Sequence, residues 1–126
     1  MSNLSNLSVP KLDNVIVSVE APGTIRWRGT ITSKDPGQDL AGFTRAAHRA
    51  ALDDSLSELK VDVSELTFVN SSAIRLFIDW ATWVKDGKGK GYKLRFVTSR
   101  RITWQKTSFM ALGMLASEAL SVEHVD

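Results

Sequence analysis

Residues 61–74 read VDVSELTFVNSSAI and contain the change from a strand to a helix on which the fold depends. The two valines of the first half alternate with polar residues, which is the period of a half-buried strand. The apolar run ends at Asn70, and Ser71 and Ser72 follow. Short polar residues of these types cap helices. The stretch therefore predicts a strand that ends at Asn70 and a helix that begins at about Ser71.

Downstream of this stretch, the chain continues to alternate between helical and strand patterns. The helix that begins at Ser71 is predicted to run to Lys85. Residues 94–97 then indicate a fourth strand, residues 102–115 a third helix and residues 120–125 a last short strand.

Upstream, residues 14–32 have the two-residue period of a hairpin, with its turn at Pro22-Gly23. Gly29 inside the second strand indicates a bulge or a close packing contact. Residues 40–50 carry apolar side chains at helical spacing and predict an amphipathic helix. The order β-β-α-β-α-β-α-β predicts an α/β fold, in which a mixed sheet of four or five strands has helices packed mainly on one face.

Length and composition fit one globular domain. The chain has 126 residues, of which 43% are apolar and 24% charged. It contains no cysteine, which excludes a disulfide framework, a cysteine-ligated zinc site and a thiol nucleophile. We expect a flexible tail over residues 1–12 and a single domain over residues 13–126.

No stretch of the sequence predicts export or membrane insertion. Residues 1–12 lack the basic start and the apolar run of a secretory signal. The longest apolar stretch, residues 73–84, contains charges and is shorter than the roughly 20 residues that a transmembrane helix needs. We therefore expect a cytoplasmic protein.

The segment 61–74 resembles the signature of STAS domains, which include the anti-sigma-factor antagonists and related domains on anion transporters. That signature has an apolar strand with an Asp, then a Thr-Phe pair, then Asp-Ser-Ser-Gly-Leu at the start of a helix. Here the first Asp is Asp62 and the pair is Thr67-Phe68. The helix start reads Asn-Ser-Ser-Ala-Ile, so Asn70 replaces the Asp and Ala73-Ile74 replaces the Gly-Leu.

The resemblance, which extends over about residues 14–125, implies a STAS-like fold and a switch. In antagonists of this type, a partner kinase that is also an anti-sigma factor phosphorylates the first Ser of the pair, and a phosphatase reverses the modification. By position that residue is Ser71, with Asn70, Ser72 and Asp62 as motif and helix-cap residues. Backbone N–H groups at a helix N-terminus favour an added phosphate, which brings a charge of about −1.5 to −2. Capping alone, or constitutive partner binding without phosphorylation, remains the alternative.

The second helix carries apolar side chains outside its main stripe. At 100° per residue, that stripe consists of Ile74, Phe77, Ile78, Ala81 and Val84. Leu76 and Trp83 fall elsewhere, and we expect them to form an exposed partner-binding patch together with Arg75 and Asp79. The alternative is that another element covers the two apolar side chains.

Positive charge is concentrated between residues 85 and 106, although the net charge is only +2. The segment contains one acid and half of the 16 basic residues, namely Lys85, Lys88, Lys90, Lys93, Arg95, Arg100, Arg101 and Lys106. Such a strip, with Trp104 as a stacking surface, could bind nucleic acid. A solvated loop and the outer face of a strand are the simpler interpretation, so we expect no specific nucleic-acid binding.

Motifs of catalysis are missing from the sequence. It contains no P-loop, Gly-rich dinucleotide turn, His-based metal spacing or nucleophile elbow. We therefore expect no enzyme activity, catalytic residue, metal or cofactor.

The resemblance implies a signalling phosphoprotein that regulates transcription through protein–protein interactions, as an anti-sigma-factor antagonist does. Its partners would be an anti-sigma factor or serine kinase-like protein and a phosphatase, and no membrane. The alternative is a scaffold subunit that assembles with other STAS-type domains, including copies of itself.

Overall fold

The computed structural model describes Leu7 and residues 14–20, 23–31, 36–86, 92–115 and 120–125. The other residues of the predicted tail, the proline of the hairpin turn and the glycine-rich basic turn at 87–91 lie outside these ranges. Leu7 is half-buried and packs against the core.

Eight elements follow in the predicted order. The strands are β1 (Val15–Glu20), β2 (Thr24–Ile31), β3 (Glu58–Val69), β4 (Lys93–Ser99) and β5 (Leu120–Val125). The helices are α1 (Pro36–Asp53), α2 (Ser71–Asp86) and α3 (Thr103–Leu115).

The five strands form one mixed sheet in the order β1-β2-β3-β4-β5. The β1–β2 pair is antiparallel, and every later pair is parallel. The three parallel crossovers advance across the sheet in one direction, and crossovers of this type are right-handed. They therefore place all three helices on the same face, as the sequence predicted.

An aromatic cluster fills the space between this face and the helices. Trp27 of β2 makes edge-to-face contacts with Phe43 of α1 and Phe77 of α2, with ring centroids 5.8 and 5.4 Å apart. Phe96 of β4 continues the cluster to Phe109 of α3 at 4.9 Å. The cluster joins all three helices to the sheet.

Gly29 lies at an irregularity in the pairing of β2 with β3. Its φ is +101°. Gly29 pairs with Leu66 and Thr30 pairs with Phe68, so the extra residue belongs to β3. A Cβ at Gly29 would collide with the backbone carbonyl of Asn14. Of the two alternatives that the sequence indicated, Gly29 therefore provides the close contact, and the bulge lies opposite it in β3.

The helix-free face of the sheet is charged. Arg26 lies 3.4 Å from Glu20, and Arg95 lies 3.2 Å from Glu58 and 3.1 Å from Glu123. These cross-strand ion pairs explain why the strands alternate between apolar and charged residues.

A second irregularity in the sheet places Asp62. Arg26 pairs with Asp62 but Arg28 pairs with Glu65, so β3 contains one extra residue between these pairs. The Asp62 carboxylate accepts hydrogen bonds from the backbone N–H and the hydroxyl of Ser64, at 2.9 and 2.6 Å. Asp62 stabilises this bulge.

The last residues of β3 extend beyond β4, because the β3–β4 pairing ends at Asp62. Gln105 of α3 provides hydrogen-bond donors for the carbonyls of this unpaired part of β3. It is fully buried, and its amide N–H group donates to the carbonyls of Val63 and Leu66 at 2.5 and 2.7 Å. Its amide oxygen accepts from the N–H of Ser99 at 2.8 Å. One side chain thus joins α3 to the carboxyl ends of β3 and β4.

Candidate functional site

Asn70 caps the start of α2. Its side-chain oxygen accepts a hydrogen bond from the N–H of Ala73 at 2.9 Å, and its backbone carbonyl lies 3.2 Å from the N–H of Ile74. Its own N–H donates to the carbonyl of Ile31 on β2 at 3.1 Å. The predicted cap is therefore confirmed, and Ser71 is the first residue of the helix. Asp62 lies eight residues earlier on β3 and takes no part in this cap.

The start of α2 lies at the carboxyl edge of the parallel strands, beside other exposed groups. Phe68 is two residues before the cap and is 50% exposed. The indole N–H of Trp104, at the start of α3, donates to the carbonyl of Thr67 at 2.9 Å. Arg100 and Arg101 are exposed in the connection between β4 and α3. This edge thus combines aromatic and basic groups with the N-terminus of a helix.

Arg75 and Asp79 form a loose pair on the surface of α2. The Arg75 guanidinium lies 3.9 Å from the Asp79 carboxylate, and the two side chains are 78% and 49% exposed. Such exposed i,i+4 pairs contribute little to stability. Arg75 is four residues after Ser71, so both residues lie on one face of the helix.

The predicted exposed patch at Leu76 is wrong. Leu76 is 6% exposed and belongs to the hydrophobic core. The buried face of α2 is rotated from the predicted stripe: Trp80 is fully buried, whereas Ile74 and Ile78 are only partly buried. The reason is that the helix carries a second apolar stripe at spacings of three and four, and this is the stripe that faces the core. It consists of Ala73, Leu76, Phe77, Trp80, Ala81 and Val84.

Trp83 is half-buried at a groove between α1 and α2. The groove has a volume of about 570 Å³ and is lined by Arg45, His48, Arg49, Leu52, Asp53, Trp83 and Asp86. The guanidinium of Arg45 lies 5.3 Å from the centre of the Trp83 ring, which is cation–π distance. Trp83 therefore keeps a face at the surface, as the sequence predicted, although Leu76 does not accompany it.

A buried hydrogen-bond chain supports one wall of this groove. The indole N–H of Trp80 donates to the Tyr92 hydroxyl at 2.8 Å, and that hydroxyl lies 2.6 Å from Nδ1 of His48. Burial lowers the pKa of His48 and raises that of Tyr92. Both groups are therefore neutral near pH 7, and the Tyr92 O–H can donate to the imidazole. His48 therefore has a structural role in this chain of hydrogen bonds.

The basic strip of the sequence does not form one surface in the described residues. Lys93 opens β4 and Arg100 follows its end, so they are separated by about 20 Å or more of strand. Arg95 between them is paired with Glu58 and Glu123. Lys88 and Lys90, and the side chain of Lys106, lie outside the described part.

Metal sites and membrane-spanning helices are two further features to consider in the described ranges. Within the part of the chain that the structure describes, no three His, Asp or Glu residues form a group that could hold a metal ion. None of the helices in that part is both long and apolar enough to cross a membrane.

Sequence reasoning missed two residues at the carboxyl edge. Gln105 gave no signal, because a lone Gln in a helical pattern is usually a surface residue. The sequence does contain a signal for Phe68. Adjacent strand residues point to opposite faces, so Phe68 and Val69 cannot both enter the core. The outward direction of Phe68 could have been predicted from that rule.

Comparison with known proteins gives one informative match. No family model matches the chain, and no curated protein matches it in sequence. The fold is similar to that of SiaC in the crystal structure of the diguanylate cyclase SiaD in complex with its activator SiaC from Pseudomonas aeruginosa. The match has a TM-score of 0.65 and 16% identity, and covers 86% of this chain and 90% of that chain. The fold is STAS-like.

Proposed function

We propose that this chain is a non-catalytic regulatory domain that binds a partner protein and is switched by phosphorylation of Ser71. The observation that carries the proposal is the hydrogen bond from the Ala73 N–H to the Asn70 side chain, with Ser71 as the first helical residue at the carboxyl edge of the sheet. The similarity to SiaC supports it, because SiaC is crystallised as an activator bound to its partner enzyme.

A phosphate on Ser71 would change this edge strongly. The first N–H groups of a helix have no intrahelical partner, and the helix dipole favours negative charge there. Arg75, one turn further on, is held only by a loose contact with Asp79 and can turn toward a phosphate. The modification would therefore add about −1.5 to −2 of charge at the carboxyl edge of the sheet. A partner that covers this edge would lose affinity.

The groove at Trp83 is proposed as a second contact with the partner. Ser71 and Trp83 lie on one helix about 18 Å apart, which is within the width of an ordinary protein–protein interface. Half-buried tryptophans next to arginines are common anchors of such interfaces. Leu76 has no part in this proposal, because the core buries it.

The test is affinity capture from the source cell with tagged forms of the chain, followed by quantitative identification of the bound proteins. The unmodified chain and Ser71→Ala should retain the same partner, since Ala removes only a hydroxyl. Ser71→Glu should retain at least about tenfold less, the effect of losing one interface hot spot. Ser72→Glu is the matched control, with the same charge one residue later, and should retain the partner.

Trp83→Gln tests the second contact, with Thr82→Gln at the neighbouring exposed position as its control. Loss of partner with Trp83→Gln alone is expected. If Ser71→Glu and Ser72→Glu capture the same partner as well as the unmodified chain does, the switch is refuted and Asn70-Ser71-Ser72 is only a helix cap.

A further inference from the structure

The outer face of α3 has an unusual composition for a surface helix. Residues 103–115 read TWQKTSFMALGML and contain one charged residue, Lys106. Gln105, Phe109 and Leu112 face inward and are buried. A helix that covers a sheet normally carries charged residues on its opposite face, whereas the exposed side chains that the structure describes on α3 are uncharged.

The exposed residues of α3 form a continuous stripe, which consists of Thr103, Thr107, Met110, Ala111 and Met114. Met110 is 49% exposed and Met114 is 80% exposed. Thr103, Thr107, Met110 and Met114 follow one another at spacings of four, three and four, which is the spacing of residues along a helix–helix seam. Methionine side chains pack well against other helices because they are long and unbranched.

Electrostatics at the ends of α3 favour an antiparallel neighbour. The first turn of α3 contains no acidic residue and the last turn no basic residue, so its own side chains do not compensate the helix dipole. Arg100 and Arg101, both exposed, come directly before the helix. In an antiparallel pair of α3 helices, these cations approach the negative C-terminal end of the other helix.

We propose that the outer face of α3 binds the same face of a second copy of this chain, in an antiparallel arrangement about a twofold axis. Thr107 of each copy then faces Met110 of the other, and Thr103 faces Met114. Because the residues of the stripe carry no charge, the stripes of the two copies do not repel each other electrostatically. The proposal does not depend on the proposed function of Ser71.

The small size of the face limits the affinity of the dimer. A helix of 13 residues is about 20 Å long, so the contact falls in the smallest class of specific interfaces. We therefore expect a dissociation constant in the range of about 1 to 100 μM.

Sedimentation of the full chain between about 1 μM and 1 mM tests the proposal. The expected result is a monomer–dimer equilibrium that Met110→Glu weakens at least about tenfold, because residue 110 lies beside the twofold axis and the two like charges then face each other across it. Ala46→Glu, at an exposed position of α1, is the matched control and should leave the equilibrium unchanged. Circular dichroism checks that each variant is folded.

Mixed disulfides test the geometry, since the chain has no cysteine of its own. Thr107→Cys mixed with Met110→Cys should cross-link faster than either variant alone, because the antiparallel pair places residue 107 opposite residue 110. A chain that is monomeric at every concentration, a dimer that Met110→Glu does not weaken, or a cross-link formed fastest by each variant with itself would overturn the proposal.

Discussion

At the scale of single residues, Gly29 shows how the backbone fixes part of the sheet. Its φ of +101° and the nearby Asn14 carbonyl both exclude a side chain. Gly29→Ala should lower the free energy of unfolding by about 1–3 kcal/mol from backbone strain, and further through the collision. Gly42→Ala is the matched control, because Gly42 is an exposed helical residue with open space around its missing Cβ. It should stabilise by roughly 0.5–1 kcal/mol. Urea denaturation of both variants measures the contrast.

His48 should make stability depend on pH. Burial lowers its pKa from the ordinary value of 6.5, so the folded state keeps the imidazole neutral while the unfolded chain binds a proton more readily. The stability contribution of the neutral ring is complete above about pH 6.5 and is lost as pH falls toward the folded-state pKa. His48→Gln should therefore show a smaller decline in the free energy of unfolding between about pH 7 and pH 5. An identical decline in both proteins would contradict this account.

At the scale of elements, prediction from sequence succeeded where the signal was local. Alternation and helical spacing identified all eight elements, because each pattern is repeated within its own segment. Residues 71–86 carry apolar side chains around most of the helix, so their spacing fits more than one stripe. Packing in the core selects the stripe that contains Leu76 and Trp80. The role of Gln105 depends on carbonyls about 40 residues earlier in the chain.

Gln105 gives a prediction about the attachment of α3. Gln105→Leu keeps the approximate shape but leaves the carbonyls of Val63 and Leu66 and the N–H of Ser99 without their buried partner. An unsatisfied buried group costs about 1–3 kcal/mol, so the loss of partners for three groups should lower the free energy of unfolding by at least about 3 kcal/mol. Thr107→Val, an exposed change on the same helix, should stay within about 0.5 kcal/mol. Chemical denaturation that finds the two variants equal would refute the role of Gln105.

At the scale of the whole molecule, the fold separates basic residues that are close in sequence. Lys93 and Arg100 lie at opposite ends of β4, and ion pairs occupy Arg95 between them. We therefore expect generic DNA or RNA to bind only at the non-specific level, with a dissociation constant of about 10⁻⁴ to 10⁻⁶ M near physiological salt. Fluorescence anisotropy with labelled oligonucleotides measures it. Nanomolar, sequence-selective binding would make nucleic acid the preferred partner.

Control of partner binding by the charge state of Ser71 can be tested by locating phosphate on the native chain. The measurement is fragmentation mass spectrometry of the native chain, purified from its source cell in two pools, one bound to its partner and one free. We expect phosphate on Ser71 in the free pool and an unmodified Ser71 in the bound pool. Phosphate confined to Ser72, or the same occupancy of Ser71 in both pools, would contradict it.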